Sequence, residues 1–514
     1  MKRISLTAIL VCFFCNLFAN VVPAIPFADH MVLQQQSAIN IWGTASENEK
    51  VTVLFNKQKK TVVADKSGKW LVKLDKMKAG GPYVLSIIGL NTIDITDVYI
   101  GEVWLCSGQS NMDFTVARED RYWCGVHNEA EELAAANYPA IRVFDVDFAP
   151  RDSVQESAVG KWELCSPQTV GHFSAAAYFF ARELYKKYKV PIGLITTAYG
   201  ASTVEAWTSK KILEQNPIFS KLLNNYTKKK QDYDTALTAQ QKYNQAYTKW
   251  KTDAAAAKAA QKDPPRGIKN PDPRVDQHMP YVLYNGMVAP LIPYTIKGVI
   301  WYQGESNIPT KEIYDLQMEA MIRNWREDFQ NPDLPFLYVQ LANYGKTLDT
   351  VPGKGGGTTY IRDKQFKNLS IPNTAMVVAI DNADDPPNIH PKNKQAIGYR
   401  LALAAEAKVY GEPIPYSGPL YSGMTVEGST IRLQFNHVNG GLSLKDTTVK
   451  GFAIAGIDKK FHWANAVIDG DTIVVSCPLV VSPVSVRYAW GDNPIISLYN
   501  KAGLPASPFR TDTD

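Results

Sequence analysis

Between residues 21 and 97 the chain alternates apolar and polar positions in short runs, at 39–42, 51–55, 61–64 and 70–74, separated by turns of Gly, Asn, Asp and Lys. A period of two sends alternate side chains to one buried face, so this stretch predicts a small β-sandwich-like domain. Near residue 97 the rhythm changes. Runs apolar at almost every position, at 98–106, 190–196, 296–302, 335–340 and 375–380, now alternate with helix-length segments. Continuous apolar strands are covered on both faces, as in a parallel sheet, and segments such as 175–188 and 314–329 carry the 3.6-residue period of covering helices. Residues 98–412 are therefore expected to form a doubly wound, parallel-sheet α/β domain. From residue 413 to 514 the alternation returns, at 430–435, 472–476 and 485–490, and predicts a C-terminal β-sandwich-like region.

Inside the α/β region, residues 210–262 form a helical insertion rich in Lys, Gln, Ala and Tyr. Tyr243, Tyr247, Trp250 and Ala254 fall on one helical face, which predicts an amphipathic helix laid against the domain. The run Lys228-Lys229-Lys230 reads as a solvated face, and the Gly-rich stretch 353–359 lacks the order of a phosphate-binding loop. At the N-terminus, Met1-Lys2-Arg3 precedes an apolar run that ends near Phe18. That run is shorter than the roughly 20 residues a membrane span needs, so residues 1–20 read as a signal peptide and the mature chain is expected to be periplasmic or extracellular, with no membrane span.

A formal charge of +5 over 514 residues, with both signs interspersed, gives no basic face for nucleic acid. Of the six cysteines, Cys12 and Cys15 lie in the leader. The other four, Cys106, Cys124, Cys165 and Cys477, show no metal-binding spacing, and neither a metal nor another cofactor is expected. In an oxidising compartment Cys124 and Cys165 are candidates for a disulfide, since Cys106 sits in an apolar strand.

The chemistry begins at Ser110. In Trp104-Leu105-Cys106-Ser107-Gly108-Gln109-Ser110-Asn111-Met112 an apolar strand runs into a glycine and then a serine, which puts a hydroxyl at the carboxyl end of a strand, where α/β sheets bind ligands. A serine attacks an ester only with a base beside it. Among four histidines in the α/β region, His390 follows a strand, in the loop Asp381-Asn382-Ala383-Asp384-Asp385-Pro386-Pro387-Asn388-Ile389-His390-Pro391 that also carries carboxylates able to orient an imidazole. Two more strand ends offer donors for an oxyanion: the Gly200 amide, and the side-chain amides of Gln303 and Asn307. Trp207, Tyr284 and Arg362 are candidates for a sugar site, because aromatic faces and a forked donor suit carbohydrate and carboxylate, with core packing the competing role for the two aromatics.

These blocks together resemble the SGNH hydrolases, and more closely the sialate O-acetylesterase family. The resemblance runs through Met31-Val32-Leu33-Gln34, Ile41-Trp42-Gly43, Gly108-Gln109-Ser110-Asn111-Met112, Glu205-Ala206-Trp207, Leu283-Tyr284-Asn285-Gly286-Met287, Trp301-Tyr302-Gln303-Gly304-Glu305-Ser306-Asn307, Trp325-Arg326 and Ile389-His390-Pro391. It implies an SGNH hydrolase domain and removal of O-acetyl groups from a sugar, most directly sialic acid. Ser110 would be the nucleophile, His390 the base and then the acid, and Gly200 with Gln303 or Asn307 the oxyanion hole. The superfamily commonly has its acid three residues before the histidine, where this chain has Pro387. The acid is then Asp385, Asp384 or Asp381, or else the pair works as a dyad. Acetylated plant hemicellulose, xylan or xyloglucan, is the alternative substrate. A non-catalytic glycan-binding protein is the third reading, against which both Ser110 and His390 stand.

Overall fold

The computed structural model describes residues 20–513 apart from residues 120, 261–264, 266, 346–349, 385–387 and 446–447. The expected signal peptide, up to residue 19, lies outside the described residues. Among those described, no helix is long and apolar enough to cross a membrane.

The change of rhythm near residue 97 falls inside one continuous strand, Thr92–Gly108 (β1). Its first half pairs with Gly80–Ile88 and Val32–Gln34 of the N-terminal region, and its second half pairs in parallel with Ile192–Ala198 and Gly298–Tyr302. Numbered from β1, the central strands are Tyr138–Val146 (β2), Gly160–Cys165 (β3), Ile192–Ala198 (β4), Gly298–Tyr302 (β5), Phe336–Gln340 (β6) and Thr374–Val378 (β7). Their order is β3-β2-β4-β1-β5-β6-β7, with only β3 antiparallel to its neighbour. The chain leaves β1 to build one side of the sheet and later crosses to build the other. The order therefore reverses between β1 and β5, which opens a crevice beyond their carboxyl ends.

The principal helices are Ser110–Asp113 (α1), Ala175–Tyr188 (α2), Ser220–Thr235 (α3), Leu237–Ala259 (α4), Tyr314–Asp328 (α5), Gly357–Lys367 (α6) and Lys394–Lys408 (α7). They cover both faces of the sheet. Trp104 of β1 meets Phe180 of α2 edge to face at 4.9 Å, and Trp301 of β5 meets Trp325 of α5 at 6.1 Å. Because Trp104 lies opposite Gly298 in register, Trp301, three residues on, points to the other face. α2 and α7 pack so closely that Gly398 of α7 has no room for a side chain: a Cβ there would stand 2.4 Å from Phe179 Cβ and 2.6 Å from the Phe180 nitrogen.

In the N-terminal region the period of two is realised directly. Along Lys69–Leu74 the residues Trp70, Val72 and Leu74 are buried while Lys69, Leu71 and Lys73 face out. At the C-terminus an antiparallel sheet of Leu420–Glu427, Thr430–Asn436, Asn465–Asp469 and Thr472–Ser476 packs over its own apolar cluster, with Ile431, Leu433, Ile473, Phe452 and Val486.

Two expectations are corrected. The insertion is helical, but none of the residues of α4 whose burial is described is buried, so its stripe does not lie against the domain. Tyr243, Tyr247 and Trp250 instead stack on one another at 5.6 and 5.7 Å, and the Trp250 indole donates to the Pro265 carbonyl. Cys124 and Cys165 are free thiols and both are buried; Cys165 closes on the Ala136 carbonyl, while Cys124 lies near Lys394.

Gly398→Ala should destabilise the protein by ~1–3 kcal/mol, because the added methyl must force α2 and α7 apart. Chemical unfolding checks it; a wild-type midpoint would show that the helices yield without cost.

Candidate active site

The end of β1 is shaped by Gly108. Its φ is +146°, and a Cβ on it would stand 2.2 Å from the Tyr302 carbonyl oxygen, so only glycine lets β1 pass β5 this closely. The next residue ties the two strand ends together. The Gln109 amide donates to Tyr302 O at 3.0 Å, and its side-chain oxygen accepts from the Gly304 and Ser306 amides at 3.1 and 3.3 Å. α1 starts at once, with the Met112 and Asp113 amides donating to Gln109 O. Ser110 stands at its first position, only partly buried, beyond the carboxyl end of β1.

His390 reaches it from the far side of the sheet. The segment after β7 is anchored at its start, where Arg400 of α7 grips both oxygens of Asp381 at 2.7 and 2.8 Å, and at its end, where Asn382 donates to the Asn393 carbonyl at 3.1 Å. Held in this way, the loop brings His390 Nε2 to 2.8 Å from Ser110 Oγ. Trp123 lies against the His390 ring at 4.7 Å, and the Arg121 guanidinium covers Trp123 at 5.2 Å while pairing with Asp113 at 3.0 Å. Gly200, just past the end of β4, lies beside Ser110: a Cβ there would stand 3.7 Å from Ser110 Cβ, and the Gly200 amide hydrogen-bonds Asp113.

The carboxylates of the loop have other partners. Asp381 belongs to Arg400, and Asp384 accepts the Lys392 amide at 3.1 Å and pairs with His127 at 3.2 Å. Asp385 lies outside the described residues. Among the described residues no carboxylate hydrogen-bonds the His390 ring, so Asp381, whose charge is already met by a bidentate guanidinium, differs from its expected place behind the histidine.

The amide side chains differ from expectation as well. Gln303 Nε2 donates to Ser202 O at 3.1 Å and to Asn307 Oδ1 at 2.7 Å, which uses both of its hydrogens. Asn307 Nδ2 donates to Glu205 at 2.8 Å, and Asn307 Oδ1 accepts the Val204 amide at 2.9 Å. Both are fully buried struts of the loop after β4, and neither hydrogen-bonds Ser110. The expected sugar residues are likewise engaged inside the protein. Trp207 has no exposed surface and packs edge to face on Trp301. The Tyr284 hydroxyl donates to Asp328 at 2.6 Å. Arg362 donates to the carbonyls of Leu341, Ala342, Gly491 and Asp492.

Residues that pattern reading missed stand in their stead. Asn111 donates to Glu305 at 2.7 Å and to the Ile389 carbonyl at 3.0 Å; Lys394, in the first turn of α7, donates to Asn111 Oδ1 at 2.9 Å. Asn111 and Lys394 were visible as neighbours of Ser110 and His390 in sequence. Trp123 and Arg121 carried no signal, because nothing local says that their loop folds back on residue 390. Among the described residues no group of three or more His, Cys, Asp or Glu side chains is arranged to hold a metal ion.

Burial governs the electrostatics. It pushes Asp113 up to about 6 against the opposing pull of Arg121, with the Gly200 amide among the weaker groups that favour its charge. Burial, and then the charge of Lys394, lower His390 to about 4. A hydroxyl held on a neutral imidazole nitrogen, at a sheet's reversal point, can lose its proton as it attacks a carbonyl.

Known proteins share this arrangement of the chain. Residues 100–249 and 279–407 match the family described as carbohydrate esterase, sialic acid-specific acetylesterase. The sialate O-acetylesterase of Rattus norvegicus is 30% identical, across 94% of this chain and 92% of that protein, and that of Homo sapiens is 31% identical, across 93% and 90%. Among solved structures, a carbohydrate acetylesterase from Xanthomonas citri superposes with a TM-score of 0.80 at 35% identity, covering 96% of this chain and 100% of the other. Fold, site and relatives together define a carboxylic ester hydrolase. The chain belongs to the sialic acid-specific acetylesterase family of carbohydrate esterases.

A proton-detected NMR titration should place the His390 imidazole midpoint near 4, below the ordinary value of about 6.5. A midpoint at the ordinary value would show that water reaches the ring.

Proposed function

We propose that the protein is an exported carbohydrate O-acetylesterase of the SGNH kind, working through an acetyl-enzyme on Ser110. The observation that carries this reading is the 2.8 Å hydrogen bond from Ser110 Oγ to His390 Nε2 in a chain of this family. Export rests on the charged start and short apolar run of residues 1–20, which point to a periplasmic or extracellular enzyme.

Ser110 Oγ attacks the acetyl carbonyl carbon as His390 Nε2 takes its proton. The oxyanion so formed develops beside Gly200, just past the end of β4, and for the Gly200 amide to donate to it that amide must turn from the Asp113 carboxylate it hydrogen-bonds. Collapse breaks the bond to the sugar oxygen, and His390 returns the proton to that oxygen. Water then adds to the acetyl-enzyme, giving a proton to His390; the second collapse hands that proton back to Ser110 Oγ and releases acetate. An imidazole lowered to about 4 is neutral at working pH, as a base must be, and once protonated it is a strong acid toward the departing sugar. With Asp381 and Asp384 engaged elsewhere, Asp385 is the remaining acid proposed to orient His390, and without it the pair acts as a dyad.

An O-acetylated sialic acid is the substrate the family relationship favours. A second reading, a neutral acetylated sugar of plant hemicellulose, is favoured by one observation: the Arg121 cation beside Trp123 already pairs with Asp113, whose charge opposes a sugar carboxylate.

Ser110→Ala should lower acetate release from an acetylated sugar by on the order of 10³-fold or more without unfolding the protein. Unchanged release would refute the acetyl-enzyme. Comparing kcat/KM on O-acetylated sialic acid with that on acetylated xylan and xyloglucan decides the sugar.

A further inference from the structure

Lys394 is fully buried, and a buried ammonium must be matched by acceptors. Its Nζ donates to Asn111 Oδ1 at 2.9 Å and to the Pro391 carbonyl, between the Phe114 ring at 4.2 Å and the Tyr302 ring at 5.8 Å. Asn111 follows Ser110 in the chain, and Pro391 follows His390. The Asn111 amide also holds the Ile389 carbonyl at 3.0 Å, so the residues on either side of His390 are both fastened, by Asn111 and Lys394, to the turn that carries Ser110. These contacts join two segments 280 residues apart in sequence.

We propose that Lys394 is a positioning residue for the esterase reaction: its ammonium clamps the Ser110 turn to the His390 loop and sets a cation beside the imidazole. The proposal rests on the reading of Ser110 and His390 as nucleophile and base. The titratable groups that face Lys394 are Glu305 from the segment after β5, Asp384 and His390 from the loop after β7, and the Cys124 thiol from the loop after α1. Glu305, Asp384 and Cys124 favour its charge, but burial outweighs them and lowers it to about 7. Below that pH Lys394 is a cation beside His390 and disfavours the imidazolium. Above it the neutral amine still carries two hydrogens for Asn111 and Pro391, so the clamp outlasts the charge.

Lys394→Met keeps the length and apolar stem but removes charge and donors. Misplacing Ser110 against His390 should then lower kcat by on the order of 10²-fold with little change in KM. The loss of a neighbouring cation should also raise the His390 pKa, moving the acid limb of kcat/KM to higher pH by about one unit. Lys394→Gln, which keeps a donor without charge, should recover part of kcat while its acid limb stays shifted. Both are read by p-nitrophenyl acetate hydrolysis between pH 3.5 and 8 (roughly the span of the two groups), with a thermal melt of each variant. If Lys394→Met does not fold, Lys394→Gln alone carries the test. A wild-type acid limb in the folded variants overturns the proposal, and so does a fall in kcat without that shift. Residual turnover by Ser110→Ala would instead overturn the reading on which it rests.

Discussion

The continuity of β1 is the constraint on which the rest depends. One strand hydrogen-bonds first to the N-terminal sheet and then, in parallel, to β4 and β5, so its end is held from both sides where the strand order reverses. Ser110 inherits its position from that strand, which ends at Gly108, with only Gln109 between. The close pass of Gly108 over the Tyr302 carbonyl leaves the turn one course, and the Gln109 side chain locks the end of β5 beneath it. If Ser110 acts as the proposed nucleophile, such a frame holds it against His390 in advance, and pre-orientation of this kind can supply a large share of an enzyme's rate.

Below Ser110 and His390 lies a seam of buried polar groups, Asn111, Glu305 and Lys394, and among the described residues no carboxylate hydrogen-bonds the His390 ring. The electrostatic consequence runs opposite to that of an aspartate. A carboxylate raises the imidazole's affinity for a proton; burial and a lysine lower it. The Asn111 amide, with one oxygen and two hydrogens all engaged, is the hub of the seam, although Glu305 Oε2 is buried without a hydrogen-bond partner among the described residues.

Much of the architecture was legible in the chain because periodicity is a local property. The apolar runs at 98–106 and 296–302 became central strands, and Ala175–Tyr188 became a helix, since burial on both faces and a 3.6-residue stripe are written in consecutive residues. Ser110 and His390 were legible for the same reason: each follows a strand in a turn with its own chemistry. What was not legible is direction. Gln303 and Asn307 sit at a strand end as expected, but their amides turn inward to Ser202 and Glu205, a choice made by residues some 100 positions away. Tyr243, Tyr247 and Trp250 have the spacing of a buried stripe, yet the rings satisfy one another and leave α4 outside the core. Trp207, buried against Trp301, shows the converse, an aromatic residue beside a site block that serves packing.

Arg362 carries a consequence for how the enzyme is divided. Its guanidinium, on α6, is closed around by carbonyls from two places at once, Leu341 and Ala342 after β6 and Gly491 and Asp492 from the C-terminal β region. A buried cation cannot be abandoned by half of its acceptors without a large penalty. The C-terminal region is therefore not an accessory that shuffling could add, exchange or discard, as a tethered sugar-binding module can be. It is part of the wall of the hydrolase, joined to it through that arginine.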